Sequence, residues 1–304
     1  MRLVWEQTSL LAEVQRRVSG VRVLHSVHYT MPERPRRSSI ARMVTVHDLT
    51  FFTHPLEHSR SKRTLFRRAI RVAAKRADHL ICVSEHTADD LLRLVDVSVP
   101  IEVIPHGIDL THFTSVEPNN GHDQAVLAQF GLARPYVLHL GTIEPRKNVG
   151  RLLDAVGQLR SGGVADPDVV LVGGAWPGAR EALPTPAGMR VHHLGVVGDH
   201  AIPALLRSAA VVAYPSLAEG FGLPVIEALA AGAPVVTSAG SVMERLAAGA
   251  AILVEPERVD SVAGGLAIAL GGGGPTLASR LAVAATYDVR RCVERHAQLY
   301  RRYC

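Results

Sequence analysis

Short β-branched runs alternate along this chain with longer stretches of helical spacing, and that alternation limits the folds open to it more than any other feature. The runs lie at 21–24, 43–47, 80–83, 101–104, 136–140, 169–172, 191–194, 210–214, 234–237 and 251–254. Helix-like stretches separate them at 60–77, 86–95, 149–160, 201–208 and 224–231. A strand–helix–strand order returns the chain to the same end of the sheet, so it predicts an α/β protein with parallel sheets and helices on both faces. The 304 residues allow two such domains at roughly 100–200 residues each. The polar, turn-rich segment 114–130 is the expected linker between a shorter first domain and a longer second one.

Composition removes several classes. Apolar residues make up 47 % and charged residues 20 %, which suits a packed core and excludes wholesale disorder. Cys82, Cys292 and Cys304 are too few and too scattered for a disulfide framework or a CxxC metal site, and Cys82 reads as a core thiol. Glu6 and Glu13 interrupt any secretory signal, and the uncharged stretch 261–279 is broken by Gly271–Gly274 and Pro275, so it reads as a loop between two helices. The expected location is the cytoplasm. There is no GxxxxGK[ST], and the glycines at 173–178 lack dinucleotide spacing, which disfavours an NTPase and an NAD enzyme.

Charge is uneven. Residues 1–77 hold 16 Lys/Arg against five acids, a net of +11, and the remainder carries −6. Such asymmetry points to an anionic partner for the first quarter: a membrane surface, a phosphorylated ligand or nucleic acid. Within it, 59–79 holds Arg60, Lys62, Arg63, Arg67, Arg68, Arg71, Lys75 and Arg76, with Leu65, Ala69, Val72 and Ala73 as its expected apolar stripe. An ordinary amphipathic surface helix and a peripheral contact with anionic membrane are the two readings. Nucleic acid is not expected, because aromatics are only 5 % of residues and no recognised module is present.

In open parallel sheets, ligands sit beyond the carboxyl ends of the strands. Three loops there carry chemistry. In 139–156, Gly141 permits close backbone approach, Asn148 is the expected N-cap of the next helix, and Arg146 and Lys147 precede that helix where its free N–H groups favour an anion. Only three of the 33 basic residues are lysines, which draws attention to Lys147. A guanidinium beside an ammonium suits a diphosphate; a solvated basic turn is the plainer alternative. In 214–236, Glu219 lies in a loop and Glu227 in the first turn of a helix opened by Pro224. The glycines Gly220 and Gly222 leave the N–H groups around Phe221–Leu223 accessible for sugar or phosphate oxygens. In 45–52, His47 closes a strand and Asp48 opens the loop after it, where an imidazole can donate to a sugar hydroxyl or phosphate or act as a base, or the pair can simply end the strand.

These residues resemble the retaining glycosyltransferases of the GT-B fold, family 4, which include bacterial mannosyl-, rhamnosyl- and glucosyltransferases. The resemblance runs from about Trp5 to the C-terminus. It is carried by HDLTFFTHP at 47–55, ICVSEHTADDL at 81–91, VIPHGIDLTHF at 103–113, GTIEPRKN at 141–148 and PSLAEGFGLPVIEALAAGAPVV at 215–236, with its E-x7-E pair Glu219 and Glu227. It implies two Rossmann-like domains, at 1–118 and 119–285, with 286–304 as a helix crossing back to the first. By this resemblance Gly141, Thr142, Arg146 and Lys147 would bind the donor diphosphate. Glu219, Gly220, Phe221, Gly222 and Leu223 would hold the donor sugar, and Gly195, Val196, Val197 and Glu227 the nucleoside. His47 and Glu219 would be the catalytic residues.

The implied reaction moves a hexosyl group, mannosyl preferred, from a nucleotide-diphosphate sugar such as GDP-mannose to a glycan or lipid-linked hydroxyl. It would use front-face attack, with no cofactor and no metal. The family's N-terminal domain opens with a strand, a glycine loop and a helix, whereas MRLVWEQTSLLAEVQRRVSG resembles a point well inside it. The first domain is therefore expected to be incomplete, and the competing reading is a catalytically impaired remnant that binds sugar nucleotides.

Overall fold

The structure is a computed structural model that describes residues 9–34, 38–114, 121–132, 135–184, 186 and 188–304. Two units emerge from its contacts: residues up to Gly107 together with Arg290–Cys304, and Ile108–Val289. The expected boundary at 118/119 lies outside the described residues.

All ten β-branched runs form strands. In the first unit, β1 (Val23–Ser26), β2 (Ala41–Val46), β3 (His79–Cys82) and β4 (Ile101–Val103) pair in parallel in that order. Helices α1 (Leu10–Arg17), α2 (Thr50–Thr53), α3 (Arg60–Arg76) and α4 (Glu85–Leu94) accompany them. Serines start the last two: Ser59 accepts from the Lys62 amide and Ser84 from the Thr87 amide, each satisfying a donor that the helix leaves open. Val44, Val46, Leu80 and Cys82 pack against Ile70, Ala73, Ala74 and Leu91. The buried row of α3 is thus Ala69, Ile70, Ala73 and Ala74, while Leu65 and Val72 are only half-buried. Phe66 stacks on Phe51 at 4.7 Å and draws its own row inward, rotating the helix from the expected stripe.

The second unit contains α5 (Leu110–Phe113), α6 (Gly121–Gln129), β5 (Tyr136–Leu140), α7 (Val149–Ser161), β6 (Asp168–Val172), β7 (Val191–Gly195), α8 (Ile202–Ser208), β8 (Val211–Tyr214), α9 (Leu223–Ala230), β9 (Val235–Ser238), α10 (Val242–Ala247), β10 (Ile252–Val254), α11 (Val259–Leu270) and α12 (Leu277–Ala285). Its sheet is parallel throughout, in the order β10-β9-β8-β5-β6-β7. Strands β6, β8 and β9 are buried at every residue, as helices on both faces require. Leu152, Leu153 and Val156 of α7 share one core with Val262 and Leu266 of α11. Where the sequence suggested a linker, 121–129 is helical. Asp123 is fully buried there and paired in a fork with Arg207 of α8, at 2.7 and 3.0 Å.

The last helix, α13 (Val289–Arg301), completes the first unit from Arg290 onward. Its Leu299 is fully buried with Met43, Ile81 and Ile104. No helix among the described residues is long and apolar enough to cross a membrane.

Candidate active site

A doubly wound parallel sheet opens a crevice where its strand order reverses. In the second unit that point lies between β5 and β8, since β6 and β7 extend to one side and β9 and β10 to the other. The loops leaving these two strands carry Arg146, Lys147 and Glu219.

Backbone geometry brings the loops close. The Gly141 amide donates to Val172 O at 2.8 Å and the Gly173 amide to Gly195 O at 2.7 Å, which ties the ends of β5, β6 and β7 together. A Cβ on Gly173 would lie 2.3 Å from Gly141 O, and its φ is +132°, so no side chain fits there. Beyond Gly141, a 3-10 turn over Pro145–Lys147 directs Lys147 inward. Its Nζ donates to Glu219 Oε1 at 2.5 Å and to the Tyr214 hydroxyl at 2.5 Å. Arg146 donates to Ala218 O and Glu144 Oε1, each at 2.6 Å, and pairs with Glu219 Oε2 at 2.7 Å. Two cations and two carboxylates balance within one cluster. Arg146 and Lys147 therefore do not wait in solvent before a helix, and both are already paired with Glu219.

The electrostatics follow from burial and pairing. Burial pushes the Glu219 carboxyl up, but the Lys147 and Arg146 charges outweigh it and hold the group below the usual carboxylate range. Burial lowers Lys147, with Glu219 opposing. Burial and Glu219 raise the Tyr214 hydroxyl well above its ordinary value, so it stays protonated and donates to Glu219 at 3.1 Å. His139 lies fully buried against Tyr214, with rings stacked at 5.6 Å, and its Nδ1–H donates to Ala213 O at 3.0 Å. Burial lowers that imidazole to about 4. It is neutral support under the cluster, and nothing but its strand position hinted at it.

Asn148 stands at the N-cap position but does not cap. Its φ of 61° is left-handed, and its Nδ2 donates to Pro215 O at 3.0 Å and Pro256 O at 2.6 Å. It joins the loops after β5, β8 and β10 instead of closing α7.

Glu227 occupies a separate place, at a cavity of about 390 Å³ lined by His112, Phe113, Leu140, Asp199, Ile202 and Glu227. It is the fifth residue of α9, one beyond the first turn that the sequence suggested. Burial and the nearby Asp199 charge push its carboxyl up to about 7. His112, Phe113 and Asp199 were missed from sequence. Asp199 follows β7, where the strand-end rule could have found it, whereas α5 lies between strands and carries no such signal.

The remaining expected residues are scattered around these two places. Thr142 is half-buried beside Gly141. Gly195 accepts from Gly173, Val197 is half-buried, and Val196 is 83 % exposed and outside the cavity lining. Gly220 and Phe221 are buried, with Phe221 edge-on to Tyr287 at 5.9 Å, Gly222 is the N-cap of α9, and Leu223 is its first residue. In the first unit, His47 follows β2 and its Nε2 donates to Val27 O at 2.7 Å. Among the described residues no group of three or more His, Cys, Asp or Glu is arranged to hold a metal ion.

Comparison with known proteins bears on the family and the fold. Residues 134–270 match the family described as glycosyl transferases group 1, and residues 2–112 match glycosyltransferase family 4. The chain is 28 % identical over 252 residues to the O-antigen chain mannosyltransferase B of Escherichia coli, covering 79 % of this chain and 63 % of that protein. It is 34 % identical over 197 residues to the MMP alpha-(1->4)-mannosyltransferase of Mycolicibacterium hassiacum, covering 62 % and 44 %. These matches span less than two thirds of either relative. Among solved structures, sucrose-phosphate synthase of Thermosynechococcus elongatus superposes with a TM-score of 0.76 at 23 % identity, over 97 % of this chain and 76 % of that one. HepE of Anabaena, in complex with UDP and glucose, gives 0.71 at 22 %, over 86 % and 71 %.

Proposed function

The chain belongs to the group 1, or family 4, glycosyltransferases of the GT-B fold, and from that premise we propose that it transfers a hexosyl group from a nucleotide-diphosphate sugar to an acceptor hydroxyl with retention. The observation that carries this reading is the Arg146–Lys147–Glu219 cluster at the strand-order reversal, in the same unit as the cavity lined by Glu227. The diphosphate exchanges part of the Lys147–Glu219 bond for its own oxygens, and the freed charge stabilises the departing nucleotide. Arg146 has three acceptors already, so it holds Glu219 in place. Glu227 accepts the ribose hydroxyls.

Both Glu219 oxygens are committed to cations, which suits a group that orients the sugar and stabilises charge rather than one that attacks carbon. The leaving diphosphate then takes the acceptor proton as the new bond forms. His47, in the first unit, meets a sugar or acceptor hydroxyl. Mannosyl from GDP-mannose is the preferred donor, supported by the mannosyltransferase names of two relatives. A glycan or lipid-linked acceptor is proposed with it, reached from an anionic membrane face.

Titration calorimetry with UDP, GDP, UDP-glucose and GDP-mannose tests the donor site. Lys147→Ala and Glu227→Ala should each cost about 1.5–3 kcal/mol of nucleotide-sugar binding, roughly ten- to over a hundredfold. Unchanged affinity in both variants overturns the assignment.

A further inference from the structure

Rings converge where β1, β2 and β4 end. His47 follows β2, His106 lies just past β4, and Val27, His28 and Tyr29 follow β1. The His47 and His106 rings stack with centroids 5.4 Å apart and planes 18° from parallel. Tyr29 meets His47 edge-on at 5.8 Å. The His47 backbone carbonyl accepts from the Thr87 hydroxyl at 3.3 Å. A carbonyl only accepts, so the His47 Nε2 that touches Val27 O carries the proton and, in the neutral ring, Nδ1 carries the lone pair.

The loop that supplies Val27 is itself held under strain. Tyr29 has a φ of 34°, a left-handed value that a bulky residue rarely adopts, and it is buried against Phe51 and Phe66 at 5.6 and 5.4 Å. Strain kept in place by packing beside one imidazole points to a requirement on that imidazole.

We infer that His106 is a positioning residue for His47: its ring face, together with the Val27 carbonyl, fixes His47 in the Nε2–H form and leaves Nδ1 as the acceptor for a sugar or acceptor hydroxyl. The inference rests on the reading of His47 as the group that meets the sugar. An imidazole suits position 106 because it can lie flat on His47 without repelling it. Burial lowers His106 to about 4, and His47 and His296 add to that, so it stays neutral whatever the state of His47. Among the described residues, the titratable groups that face the pair include His25, His28, Tyr29 and His296, with Asp48 acting on His28.

Two variants of the full chain separate stacking from space-filling. His106→Phe keeps bulk and a flat ring, whereas His106→Leu keeps bulk alone. Long-range ¹H–¹⁵N spectra at pH 8 read the His47 tautomer directly and need no substrate. Wild type and His106→Phe should show one tautomer with the proton on Nε2, and His106→Leu a mixture. With release of GDP from GDP-mannose, or UDP from UDP-glucose, as the second readout, kcat should fall by about ten- to a hundredfold in His106→Leu at unchanged KM for the donor, with most of it restored in His106→Phe. A single Nε2–H tautomer in His106→Leu overturns the inference, as does an equal loss in both variants. Failure of the transferase reading would abolish turnover in all three proteins and leave the spectra as the deciding result.

Discussion

Glu227 is the carboxylate that burial carries furthest above its ordinary range. Its carboxyl rises from 4.5 to about 7 because burial and Asp199 disfavour its charge. Between those values the folded chain keeps a proton that the unfolded chain has lost, so stability falls as pH rises through that window, and the full loss stands above pH 7. The gap corresponds to roughly 3 kcal/mol. Glu227→Gln should therefore shift the urea midpoint upward at pH 8 and leave it nearly unchanged at pH 4.5. Ribose hydroxyls at the proposed contact would favour the ionised form, so nucleotide binding at pH 7 should release protons, seen as a dependence of the calorimetric heat on buffer ionisation enthalpy. At this scale the sequence was half legible. Lys147 stood out as a rare lysine after a strand, but its partner Glu219 is 72 positions away, and nothing local announces that pairing. The neutral, buried His139 was invisible for the same reason.

Among elements, strands were legible because burial on both faces demands unbroken β-branched runs. Helix α6 was not, since its start is polar and its buried Asp123 makes sense only with Arg207 opposite. The turn at Asn148 misled in another way: a good capping residue serves as a strut between loops. Asn148→Ala should lose about 2–3 kcal/mol, from two missing carbonyl contacts and a left-handed φ. Asn148→Gly, which tolerates that φ, should recover roughly 1 kcal/mol of it in urea denaturation.

Helix α3 carries eight basic residues and no acid, three of them in the first turn against the helix dipole. Arg63 and Arg67 are engaged by Pro55 O and Phe51 O, Arg68 by Glu33, and Lys75 by Asp96, while Leu56 just ahead of the helix is 93 % exposed. Arg60→Glu with Lys62→Glu should improve the helix by about 0.3–1 kcal/mol per site. The same pair should abolish co-sedimentation with phosphatidylglycerol vesicles at low salt, if the proposed membrane face is right. Equal sedimentation of the pair and the wild type would remove that face from the proposal.

Over the whole molecule, the chain visits the first unit twice. The GT-B resemblance led to an expected returning helix at 286–304, and α13 packs with residues up to Gly107 from Arg290 onward. Its anchor is Leu299, fully buried with Met43, Ile81 and Ile104. Leu299→Ala should cost about 2–5 kcal/mol of the first unit's stability. Nucleotide affinity, for the donor site proposed in the second unit, should stay as it was; a parallel loss of both would show that the two units do not unfold independently. The same anchor sets an order of events during synthesis. The strands of the first unit leave the ribosome early, yet the helix that seals their core emerges only after the entire second unit has been made. Of the two units, the one whose strands are made earlier is completed later, and until Leu299 arrives the surface it covers is open to chaperones and to neighbouring chains.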